Sequence, residues 1–128
     1  MRGMDHRAGL RPFLARRCRS FACAGRGLWQ MCTGQVHGRF HLVAAVTVVA
    51  AGAAFGLSAG EWCAVALAIA GVFAAEACNT ALEQLADALH PALDPGVGRA
   101  KDLAAGAVLA AALGAAAVGG IVFLPRLL

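Results

Sequence analysis

The chain has 128 residues, the size of one domain. It is 60% hydrophobic and 14% charged, with a mean hydropathy of +0.70, whereas a soluble domain carries about a quarter charged residues; an ordinary soluble globular protein is excluded. The net charge of +4 is unevenly placed. Arg2, Arg7, Arg11, Arg16, Arg17, Arg19, Arg26 and Arg39 crowd the start, and nothing basic and aromatic continues beyond them, which argues for a membrane surface and against nucleic acid as partner.

In chain order, residues 1–12 read as disordered, within an N-terminal extension taken to residue 15. Residues 13–33 alternate basic and apolar groups and fit a helix lying on a membrane surface. The domain proper runs from 16 to 128. Cys18, Cys23, Cys32, Cys63 and Cys78 are odd in number and form no CxxC, so they read as small packing residues rather than a disulfide framework or a zinc site.

Three apolar spans follow, at about 41–60, 62–87 and 100–124. The first, from Leu42 to Gly60, has no charge and is long enough to cross the hydrocarbon; it lies too far from the N-terminus for a signal peptide. The second starts at Trp62 and carries Glu76 within or near the hydrocarbon. The third, Leu103 to Pro125, is uncharged. The first connection, around Ser58-Ala-Gly-Glu61, lacks Lys and Arg. The second, Leu89 to Gly98, holds the helix breakers Pro91, Pro95, Gly96 and Gly98 and is followed by Arg99 and Lys101. This bias expects a cytoplasmic N-terminus and second loop, and an external C-terminus. The fold class is an all-α membrane protein: an N-terminal amphipathic surface helix plus three transmembrane helices.

Within the second span, Glu76, Asn79, Glu83 and Asp87 are spaced by three, four and four. At 100° per residue they share one helical face roughly 80° wide. Ionisable groups at membrane depth are costly and mark function. A helix simply leaving the membrane would account for Asp87 and Glu83; it accounts poorly for Glu76 and Asn79, which have apolar residues on both sides. Lys101 and Asp102 open the third span. Acids on one helix and Lys-Asp on the next suggest a metal-phosphate site, with carboxylates for Mg²⁺ and Lys as a point charge for phosphate. Lys101 alone reads equally as an interfacial snorkelling lysine. No GxxxxGK[ST] loop and no HRD or DFG triplet is present.

The run Glu76-Ala-Cys-Asn79-Thr80-Ala-Leu-Glu83-Gln-Leu-Ala-Asp87, with Arg99-Ala-Lys101-Asp102 and Gly106-Ala-Val-Leu, resembles the small bacterial integral-membrane diacylglycerol kinase family. The resemblance covers roughly residues 16–126. Arg39-Phe-His41 and Phe123-Leu-Pro125 look more like its Gram-positive branch, which is associated with phosphorylating undecaprenol. The resemblance implies a surface helix, three spans and a homotrimer with sites between subunits, in the bacterial inner membrane. It implies ATP as co-substrate with Mg²⁺ and a lipid alcohol as acceptor. By position it makes Glu76 the catalytic base and Glu83 a Mg²⁺ ligand, and it places Asn79, Asp87, Lys101 and Asp102 around ATP. An ATP-contacting arginine would fall near Arg16 or Arg19. At Gln35 many members carry Glu as a second metal ligand; Gln35 keeps a carbonyl oxygen without the charge. Gly34 and His37 also depart from the family's Asn.

Undecaprenol and diacylglycerol both present a primary hydroxyl, and the sequence leaves them open. Two readings from other classes are a catalytically weak membrane-assembly protein, favoured only by Gln35, and a proton-relay subunit built on Glu76, which would need neither Lys101 nor Asp102.

Overall fold

The computed structural model describes residues 7–90, 92 and 94–128. Among them are four helices and no strand: α1 Arg7–Gly34, α2 Val36–Phe55, α3 Ala59–Leu89 and α4 Pro95–Leu127. The last three are long and apolar enough to cross a membrane. The all-α reading holds, with one long helix ahead of the three spans.

The boundaries differ from those expected. Helix α1 starts at Arg7, so residues 7–15 of the supposed extension are helical; Ala8, Leu10, Leu14 and Ala15 are good helix formers. Residues 1–6 of that expectation lie outside the described residues. The first span begins at Val36, because only Gln35 separates it from α1. Gln35 is extended (φ −110°, ψ 142°), and the Arg39 Nε donates to the Thr33 carbonyl at 2.7 Å, satisfying the end of α1. The two helices meet closely there. A Cβ on Gly38 would lie 2.2 Å from the Met31 carbonyl oxygen, so only glycine allows this approach.

Helix α2 stops at Phe55, not at Gly60. Gly56 takes the left-handed conformation (φ 65°) and returns its N–H to Gly52. Ser58-Ala-Gly-Glu61, expected as the loop, is instead the start of α3. Ser58 Oγ accepts from the Glu61 N–H, and Glu61 Oε2 accepts from the Ser58 N–H at 2.8 Å, a reciprocal cap. The second loop is also shorter than expected. Asp94 Oδ1 accepts from the N–H groups of Gly96 (2.7 Å) and Val97 (3.0 Å), and Pro95 fits the first helical position, so Gly96 and Gly98 are helical. Pro91 lies outside the described residues.

Helices α3 and α4 pack along each other, and α1 rests on the start of α2 and on α3. A small core of Leu57, Val65 and Val122, flanked by Trp62, Ile69 and Phe123, joins the α2–α3 turn to the end of α4. There Arg126 Nη2 donates to Glu61 Oε2 at 2.9 Å. Few other side chains are buried. Phe40, Val43, Leu67, Leu103, Leu113 and Ile121 all face outward, as expected where lipid or further protein takes the place of water.

Candidate active site

The acidic stripe of α3 grades from deep burial to solvent. Glu76 is 3% exposed and Asn79 9%; Glu83 is half-buried, and the Asp87 side chain is 68% exposed. An α-helix puts residues three and four apart on one face, so a single element aligns all four. One pair forms within the stripe and one joins it to α4. Asn79 Nδ2 donates to Glu83 Oε1 at 3.1 Å. One turn further, Lys101 Nζ of α4 donates to Asp87 Oδ1 at 2.5 Å. Asn79 Oδ1 is buried with no hydrogen-bond partner among the described residues. A buried acceptor left unsatisfied costs about 1–3 kcal/mol.

Glu76, Asn79 and Glu83 line a cavity of 390 Å³. Its second wall is His37, Phe40 and His41 of α2, and its third is Ala105, Val108, Leu109 and Ala112 of α4. Next to it runs an apolar groove of 310 Å³ between α2, α3 and α4. The groove shares Phe40, His41 and Ala112 with the cavity and continues past Val48, Ile69, Val72 and Gly119. A half-open pocket with a buried carboxylate in a largely apolar wall therefore stands beside a hydrocarbon-lined trough.

The other residues singled out from the sequence lie elsewhere on this chain. Asp102 lines a separate open groove with Arg99, Leu103 and Gly106. Gln35 sits at the α1–α2 break and is not among the cavity walls. Arg16 is exposed on α1, where its carbonyl accepts from Ser20 Oγ. Among the described residues no three His, Cys, Asp or Glu side chains are grouped to hold a metal by themselves. Sequence reasoning missed the α2 wall. Its signal was the i, i+4 spacing of His37 and His41, which puts both on one face of a span.

The family described as prokaryotic diacylglycerol kinase matches residues 22–123. The chain belongs to that family. The match contains the whole stripe and both cavity walls that face it. Its fold is the membrane-helical one read from the sequence, and its chemistry is that of an ATP-dependent lipid kinase. The chain is also 38% identical over 127 residues to the undecaprenol kinase of Bacillus subtilis (strain 168), covering 99% of this chain and 100% of that one. That similarity agrees with the Gram-positive features at Arg39-Phe-His41 and Phe123-Leu-Pro125. No solved structure matches the chain.

Proposed function

We propose that this kinase phosphorylates undecaprenol, transferring the γ-phosphate of ATP to its terminal hydroxyl. The observation that carries the reading is the junction of the Glu76 cavity with the apolar groove. A single hydroxyl on a long hydrocarbon chain fits a carboxylate at the head of a hydrocarbon trough. The full-length similarity to an undecaprenol kinase supports the same substrate.

Glu76 takes the proton of the attacking hydroxyl. Its burial leaves little surface for the water that would compete as acceptor. Asn79 holds the Glu83 carboxylate by its amide. Glu83, together with the unpartnered Asn79 oxygen, offers hard oxygen donors of the kind Mg²⁺ takes, and this set suits a cation that arrives already bound to nucleotide phosphate. When bound, Mg²⁺ neutralises phosphate charge. Lys101 stands one turn beyond Glu83, paired with Asp87, and adds a point charge for the phosphates. Catalysis in this scheme is mainly positioning and charge stabilisation.

Asp102, Arg16 and Gln35 lie away from their own chain's cavity, and much apolar surface is uncovered. Both features support a homotrimer in which each site is completed by a neighbour's residues. Purified protein, labelled ATP and separate additions of undecaprenol and diacylglycerol test the substrate. Phosphorylation of diacylglycerol alone would overturn the undecaprenol reading.

Lys101→Ala should raise the KM for ATP while leaving that for lipid within about twofold, because a half-buried ammonium paired with Asp87, one turn beyond Glu83, acts on phosphate rather than on the chain. Separate KM measurements check it. The enzyme sits in the inner membrane with the N-terminus and active site cytoplasmic, on the basis of the arginine-rich start. Single cysteines placed at residues 10 and 128 of an otherwise cysteine-free chain should label from outside intact cells only at 128. The reverse pattern would invert the topology.

A further inference from the structure

His41 is the one ionisable side chain that borders both the Glu76 cavity and the apolar groove. It is half-buried, and its ring meets Phe40 edge-on at 5.8 Å. No side-chain hydrogen bond among the described residues engages His41 or His37. His37, one turn earlier, is exposed and lines only the cavity. The cavity's remaining ionisable walls are Glu76 and Glu83 on α3; α4 contributes none. A lipid chain lying in the groove, with its hydroxyl in the cavity, passes the residues the two share, Phe40, His41 and Ala112.

We infer that His41 is a positioning residue for the acceptor, its imidazole N–H donating to the hydroxyl oxygen of the lipid alcohol. This rests on the lipid-kinase reading and adds a role that the acidic stripe does not supply. An alcohol oxygen has one hydrogen and two lone pairs. The hydrogen points to Glu76 on α3. One lone pair accepts from His41 on α2, across the cavity. The second lone pair is then left free, with its direction fixed by the other two contacts. It forms the bond to the γ-phosphorus. The bond from that phosphorus to the β–γ bridging oxygen breaks, and its electron pair leaves with ADP. The alcohol proton ends on Glu76. Without His41 the hydroxyl is held by one hydrogen bond and rotates about it, so fewer bound molecules are aligned for attack.

The test uses full-length protein in mixed micelles with undecaprenol and ATP, comparing wild type, His41→Ala and His41→Asn. His41→Ala should lower kcat/KM for undecaprenol by about fivefold to tenfold, the size of one lost hydrogen bond, with the KM for ATP unchanged. His41→Asn keeps an N–H donor near the first ring nitrogen and should recover activity to within about threefold of wild type. An alanine variant as active as wild type, an equal rise in the KM for ATP, or an asparagine variant no better than alanine would each overturn the inference. A wild-type enzyme inactive on undecaprenol and on diacylglycerol would overturn the lipid-kinase reading instead, before any variant is compared.

Discussion

Glu76→Gln should lower kcat by about 10²- to 10⁴-fold, the usual loss when a general base is removed. Glutamine keeps the shape of the side chain and its place in the cavity. It also removes a buried carboxylate that pairs with no cation among the described residues. A buried unpaired carboxylate is costly, so the variant should be at least as stable as wild type. The two readouts together are diagnostic: activity collapses while thermal stability in detergent holds or rises, and nucleotide binding persists. Turnover within about threefold of wild type would remove Glu76 from the mechanism.

The second large effect is structural. Replacing glycine by alanine inside a helix normally stabilises by about 1 kcal/mol. Gly34 and Gly38 both lie in helices on either side of the α1–α2 break, yet they should respond in opposite directions. An alanine methyl at Gly34 meets nothing within 4 Å, so Gly34→Ala should follow propensity and be neutral or stabilising. At Gly38 the methyl would stand 2.2 Å from the Met31 carbonyl oxygen and 2.9 Å from its carbon. Backbone cannot rotate away as a side chain can. Gly38→Ala must therefore pry α1 from α2, at a cost of about 1–3 kcal/mol or more. The first turns of α2 carry His37, Phe40 and His41, so activity should fall with stability. Melting temperatures and initial rates of the two variants, side by side, decide it. Equal behaviour at the two positions would mean that the close approach is not maintained in the membrane.

How much of this was legible in the sequence follows from which forces are local. The spans were readable because a bilayer demands about twenty apolar residues whatever the neighbours do. The acidic stripe was readable because helical spacing alone puts Glu76, Asn79, Glu83 and Asp87 on one face. Helix ends were misread where one side chain overrides composition. Asp94 caps α4 so well that Gly96 and Gly98 become its first turn, and Ser58 with Glu61 turns an expected loop into a helix start. The α2 wall of the cavity was readable only in part: i, i+4 spacing puts His37 and His41 on one face, but which neighbour that face meets is set by packing. The same holds for Asp102. It adjoins Lys101 in sequence, but the next residue of a helix points about 100° away, and it faces a different groove.

The two ion pairs joining α3 to α4 fix a length scale. Glu61–Arg126 and Asp87–Lys101 tie the same two helices near opposite ends. By helix rise the two carboxylates are about 39 Å apart along α3. A bilayer measures about 40–45 Å across its headgroup regions and about 30 Å across its hydrocarbon. The spacing of the pairs matches the width between headgroup regions, and Glu76 lies about 16 Å along α3 from Asp87. A diacylglycerol hydroxyl is anchored near the surface by two hydrated ester groups. A polyprenol alcohol has a single polar atom to dehydrate as it sinks. On the proposed reading the acceptor hydroxyl must leave headgroup level to reach Glu76, and the cost of that step depends on how many polar atoms the lipid has to dehydrate.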